Sequence, residues 1–134
     1  MALSRRLNAG GWTIRGTCRD PDRLRALKIL GIDTALFNGS KPMEPTNAFR
    51  DATHVLLSIP PGSDGDPVFF HHAEQIAKTR TVKWVGYLST TGVYGNRDGA
   101  WVDEKSDLRP SNLRSKRRVD AERMWLRWGD YNGI

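Results

Sequence analysis

Cysteine is nearly missing from this sequence. Cys18 stands alone, which excludes an intramolecular disulfide framework and a cysteine-rich metal site. Long apolar runs are missing too. Nothing approaches the roughly 18 consecutive apolar residues of a membrane-spanning helix, and the amino terminus has no signal-peptide core. These shortages lead to the expectation of a cytoplasmic protein with no membrane partner. Apolar residues are sparse overall, at 38% with a mean hydropathy of −0.56, so the expected core is lean. A chain of 134 residues fits one domain, able to bury about two thirds of its unfolded surface.

Positive charge is in surplus. Lys and Arg number 21 against 15 Asp and Glu, a formal net charge of +6, and they are thickest between Arg109 and Arg127. A basic face attracts nucleic acid, an anionic membrane surface or a phosphorylated small molecule, or is simply a solvated helix face. No aromatic–basic interleaving or nucleic-acid motif accompanies it, which argues against nucleic acid as the partner. Histidine offers little. His54 falls inside an apolar run and reads as structural. His71 and His72 are sequence neighbours on a helix, about 100° apart, and make a poor metal pair. No metal site is assigned.

Taken in order, the chain alternates helices and strands. Leu3 and Leu7 sit a helical turn apart before the stop Gly10-Gly11. Trp12, Ile14 and Gly16 alternate with polar residues in a short strand, WTIRGTCR. Asp20-Pro21 is an N-cap and first-turn pair opening a helix with Leu24, Leu27 and Leu30 on one side, ended by Gly31. Ile32–Phe37 reads as a strand, followed by a polar, proline-containing loop from Asn38 to Asn47. Thr53–Ile59 is a buried-strand run halted by Pro60-Pro61-Gly62. Asp66-Pro67 repeats the cap-plus-proline start, and Phe69, Ala73, Ile76 and Ala77 form the stripe of an amphipathic helix. Val82–Gly95, VKWVGYLSTTGVYG, opens with the composition of a strand buried on both faces. A final helix begins near Pro110-Ser111 with Ala121, Met124, Trp125 and Trp128 on its apolar side. The order α-β-α-β-β-α-β-α predicts an α/β fold with a parallel sheet flanked by helices.

The segment Ser89-Thr90-Thr91-Gly92-Val93-Tyr94-Gly95 places small hydroxyl residues where a strand runs out into a loop. In open parallel sheets, ligands sit in the crevice at such carboxyl ends. The segment resembles the Ser-Ser-x-x-Val-Tyr-Gly strand end of the extended short-chain dehydrogenase/reductase family, of the nucleoside-diphosphate-sugar epimerase/dehydratase kind. That resemblance implies a Rossmann-like fold and an NADP (or NAD) cofactor. It also implies an oxidoreductase or epimerase activity on a small or nucleotide-linked substrate. The chain then reads as strands two to five of the family fold, a single partial NAD(P)-binding domain over residues 1–134. The family's first strand and its glycine-rich pyrophosphate turn have no counterpart, because Gly10-Gly11 follows a helix instead of preceding one. Strands lacking a central neighbour would expose unpaired edges, so self-association is a further expectation.

The resemblance also allots roles. The substrate-holding hydroxyl maps to Thr90, with Tyr94 as the nearby phenol, and Ser89 lies beside the cofactor. Ser58 and Pro60 leave the preceding strand where the family's chain passes the cofactor ribose, although any tight strand exit would look the same. Arg19, at the end of the family's second strand, suits the 2′-phosphate of NADP and equally suits a solvated position before a helix. The family's Tyr-x-x-x-Lys pair falls on Arg114 and Arg118 when Glu122 is aligned with the family's acidic helix residue. Arginine stays protonated at any working pH and cannot shuttle a proton, though Arg118 could hold a ribose or phosphate. The expectation is an atypical branch that keeps the fold without the usual pair. The alternative is a non-catalytic Rossmann-like binding or regulatory module.

Overall fold

The computed structural model describes residues 2–44 and 47–134. The chain, read from sequence as one partial domain, divides into two compact units, Met1–Arg50 and Asp51–Ile134.

In the first unit, helix α1 (Ala2–Ala9) ends where Gly11 takes φ +82° and the amide of Trp12 donates back to the carbonyl of Leu7. Strand β1 (Arg15–Cys18) is shorter than the alternating pattern predicts, and Trp12 lies outside it, half exposed. Helix α2 (Pro21–Ile29) opens on Asp20, whose carboxylate accepts from the amide of Asp22 at 2.9 Å. Its chain turns at Gly31, φ +73°, into strand β2 (Asp33–Leu36). Strands β1 and β2 run parallel with Arg15 opposite Asp33, and these two side chains form an ion pair at 3.1 Å. Among the described residues, Ile32, Thr34, Phe37, Met43 and Phe49 are buried, and α2 contributes none.

The second unit repeats the strand–helix–strand order. Strand β3 (His54–Leu57) leads to helix α3 (Pro67–Lys78) and then to strand β4 (Trp84–Tyr87), parallel to β3 with Leu57 opposite Tyr87. Asp66 caps α3, its Oδ1 accepting from the amides of Val68 and Phe69 at 2.8 and 2.9 Å. After β4 come a single 3-10 turn (Thr91–Tyr94) and helix α4 (Leu113–Asn132), capped by Asn112. Helix α3 buries Val68, His72, Ala73 and Ile76, and α4 buries Ser115, Arg118, Val119, Ala121 and Trp125. Phe69, Trp125 and Trp128 stack edge to face at centroid separations of 5.0 and 5.2 Å, joining the two helices.

The strands of this unit are covered less fully than their composition predicts. Strand β3 buries Val55 and Leu57 while His54 and Leu56 are exposed. In β4, Trp84 is 46% exposed, so the expectation of a strand buried on both faces is corrected. An apolar run shows that a strand can be covered, not which neighbours cover it. His54 does not pack as a core histidine either; it is exposed, its ring 5.9 Å from that of Trp84. Together, the short parallel pairs and their helices make this a mixed α/β protein. Among the described residues no helix is long and apolar enough to cross a membrane.

Candidate functional site

The residues singled out in the second unit meet at the carboxyl ends of β3 and β4. These strands are in parallel register, and the amide of Leu88 donates to the carbonyl of Leu57 at 2.9 Å. Ser58 and Pro60 therefore leave β3 on the same sheet edge where Leu88, Ser89 and Thr90 leave β4. Ser58, Pro60, Ser89 and Thr90 are all exposed. Beyond them, Gly62 and Gly65 form an isolated antiparallel bridge that turns the chain toward the Asp66 cap.

Thr90 has a local task. Its Oγ1 accepts from the amide of Gly92 at 3.2 Å, which caps the 3-10 turn. A hydroxyl that accepts from its own turn still has its proton to give, so Thr90 can donate to an outside oxygen. The turn is pinned from three sides. Val93 is buried, its carbonyl accepts from the amide of Arg109 at 3.0 Å, and Gly92 lies tight against Ser115 of α4. Gly95 takes φ +71°, and a Cβ there would overlap the carbonyl oxygen of Arg109. Tyr94 ends this turn half buried, its carbonyl accepting from Arg97 Nε at 3.0 Å.

Arg118 reaches the strand end from α4. It is 8% exposed and donates through Nη1 to the carbonyl of Leu88 at 2.5 Å and to the hydroxyl of Tyr87 at 3.3 Å. Its guanidinium carbon lies 5.6 Å from the Tyr87 ring centroid, within the range of a cation–π contact. The phenol that meets this cation is Tyr87, a residue the sequence reading did not single out. Burial pushes the Tyr87 hydroxyl above its ordinary range; Arg118 opposes that, and the carboxylates of Asp66 and Glu122 add to it. Tyr87 thus stays protonated at neutral pH, able to donate but not to act as a base.

Sequence reasoning missed Tyr87 because an aromatic inside a strand reads as core, and its partner lies 31 positions away. Arg114, at the start of α4, is exposed. Asp66 is 2% exposed, and its Oδ2 has no hydrogen-bond partner among the described residues. Arg19 belongs to the first unit, exposed between the end of β1 and the Asp20 cap of α2.

Parallel strand pairs with helices, and hydroxyl residues at the strand ends, define a small mixed α/β protein. No model of a known protein family matches the chain. It is 26% identical, over 94% of its length, to protein YeeZ of Escherichia coli K12 and equally to that of Escherichia coli O157:H7. It covers 48% of each, so the chain spans about half the length of the curated relatives it matches. A solved structure from Silicibacter pomeroyi DSS, titled as that of a functionally unknown conserved protein, matches with a TM-score of 0.79 at 45% identity. That match covers 92% of this chain and 43% of the other.

Proposed function

We propose that the chain is part of a Rossmann-like protein of the extended short-chain dehydrogenase/reductase kind, and that it binds NADP in preference to NAD. The whole protein would then be an NAD(P)-dependent oxidoreductase or epimerase acting on a small or nucleotide-linked substrate. The observation that carries this reading is the anchored end of β4. Arg118 holds the Leu88 carbonyl, and the next two residues present exposed hydroxyls, that of Thr90 with its proton still to give, beside the β3 exit at Ser58. Ser89 and Ser58 are the donors for ribose oxygens, and Thr90 is the donor for a substrate oxygen. Arg19 supplies a cation suited to a 2′-phosphate, a charge-assisted hydrogen bond worth about 1.5–3 kcal/mol, or roughly 10–150-fold in affinity.

A second reading, binding without chemistry, is favoured by the proton inventory. Arg118 turns its Nη1 to Leu88 and Tyr87, Tyr87 is held protonated, and an arginine side chain is in general no proton shuttle.

Titration of the isotope-labelled chain with NADPH and NADH tests the proposal. Amide shifts should move at Arg19, Ser58, Ser89 and Thr90, with the phosphate-bearing nucleotide binding more tightly and Arg19→Ala abolishing the difference. Shift changes confined to other residues, or equal affinities in the unmutated chain, would sink it. Hydride transfer that disappears in Tyr94→Phe would rule out the non-catalytic reading.

A further inference from the structure

Helix α4 carries a cation where its packing pattern calls for an apolar residue. Arg114, Arg118, Ala121 and Trp125 follow at steps of four, three and four, so they share one side of the helix. Arg118, Ala121 and Trp125 are buried there, and Arg114 alone is exposed. The end of β4 explains the difference. Arg118 meets the carbonyl of Leu88, whereas Ser115, nearer the start of the helix, meets the later residue Gly92. A Cβ on Gly92 would lie 2.9 Å from Ser115 Oγ and 3.5 Å from Thr90 Oγ1. The first turn of α4 thus runs out past the strand, over the loop that bears Ser89 and Thr90. Arg114 stands on that overhang, about 6 Å along the axis from Arg118. Two effects weigh against a cation there: the like charge of Arg118 one turn on, and the positive end of the helix dipole. The first turn has no acidic residue, and Arg114 forms no ion pair among the described residues.

We infer that Arg114 sets the substrate specificity of this site and selects a small carboxylic acid, a 2-hydroxy or 2-keto acid whose other oxygen Thr90 holds. The inference rests on the reading of the β4 end as the place where substrate binds. Thr90 has a proton to give an outside oxygen, and Arg114 is the sequence neighbour of Ser115, which shares the Gly92 turn with it. One compact molecule can therefore meet both groups. The guanidinium fork matches the two oxygens of a carboxylate. Charge argues for a carboxylate over a phosphate. Arg97 and Arg109 are turned to Tyr94 and Asp107, and Arg118 to Leu88 and Tyr87. Arg117, two residues past Ser115, falls on the opposite side of the helix from the turn. A single cation is left for the ligand, which balances the single charge of a carboxylate and not the double charge of a phosphate.

Titration of the isotope-labelled chain with lactate, with propane-1,2-diol and with inorganic phosphate, each with and without NADPH, provides the test. Propane-1,2-diol has the carbon skeleton of lactate without its charge. Lactate should shift the amides of Thr90 and Gly92 and the side-chain Nε–H signal of Arg114, saturably, and the diol should not. Arg114→Gln, at an exposed position and checked for folding by circular dichroism, should weaken lactate at least about tenfold. No lactate binding in either condition overturns the inference. So do equal effects of lactate and the diol, tighter binding of phosphate at the same signals, or an unchanged affinity in Arg114→Gln. The NADPH arm keeps this inference apart from the cofactor reading. NADPH binding at Ser58 and Ser89 without lactate binding removes the acid and leaves the cofactor. Lactate binding that depends on Arg114 upholds the specificity role even where NADPH does not bind.

Discussion

The two units open their central helices with the same signal and use the helices differently. Asp20-Pro21 and Asp66-Pro67 each supply a capping carboxylate and a proline, and each helix follows one strand of a four-residue parallel pair. Yet α2 buries no residue, with Ile29 85% exposed, whereas α3 buries four, and Ile76 is wholly enclosed. A cap fixes where a helix starts; the spacing of its apolar residues fixes what it holds together. In α3, Val68, His72, Ala73 and Ile76 fall on one side. In α2, Leu24 and Leu27 share a side but are only half covered, and Leu30 is 57% exposed.

The sharpest way to break this contrast is truncation of the helix cores. Ile76→Ala should cost the second unit about 2–5 kcal/mol, since a filled site is left empty. Leu27→Ala should cost the first unit about 1 kcal/mol or less, in proportion to its smaller covered area. Amide hydrogen exchange, which resolves the units separately, is the measurement. Equal losses would show that α2 holds its unit as firmly as α3 does.

Next in size is a pair of glycines with almost the same φ. Gly31 in the first unit has φ +73° with open space where a Cβ would go; Gly95 in the second has φ +71° with the Arg109 carbonyl there. Gly31→Ala should cost only the left-handed strain, about 1–2 kcal/mol. Gly95→Ala adds a backbone collision to strain of about 1–3 kcal/mol. Urea denaturation of both variants should rank them in that order, and the reverse ranking would place the rigid turn in the wrong unit.

The smallest expected effect is acid sensitivity. All three histidines, His54, His71 and His72, lie in the second unit. Burial lowers the pKa of His72, the hydrogen bond with Gln75 opposes this, and the neighbouring His71 adds to the lowering. The fold therefore favours neutral His72. Its contribution is fully present above the ordinary histidine value, about 6.5, and is lost as pH falls through and below it. Acidifying from about pH 7.5 to about pH 5.5 should loosen the second unit and not the first, and His72→Gln should flatten that response. Matching losses in both units would assign the sensitivity to carboxylates instead.

Much of this arrangement was legible in the sequence because its signals are local. Gly10-Gly11, Gly31 and the two Asp-Pro pairs mark helix ends within a residue or two of their places. The stripe of α3 and the apolar side of α4 were legible by period. Long-range facts were not. Covering of β4 depends on neighbours its own residues do not encode, so Trp84 and Leu88 emerge about half exposed. The 3-10 turn at Thr91–Tyr94 is too short to show a period. The meeting of Arg118 with Tyr87 joins a helix to a strand across the intervening loop. The hydroxyl cluster at Ser89 and Thr90 was legible by composition alone, but not that Thr90 spends one lone pair on its own turn.

The Arg118 clamp bears on which length changes the gene can accept. One guanidinium fixes α4 to the first carbonyl beyond strand β4, and the Asn112 cap fixes where that helix begins. Between Arg97 and Asp107 the chain makes an exposed excursion with Trp101 at its surface. Residues can be gained or lost there at little cost, because loop closure responds only weakly to length. One residue inserted between Asn112 and Arg118 is a different matter, since it swings the guanidinium about 100° round the helix axis and about 1.5 Å along it. Insertions and deletions among natural variants of this chain should therefore gather at the Trp101 excursion and stop abruptly at Asn112.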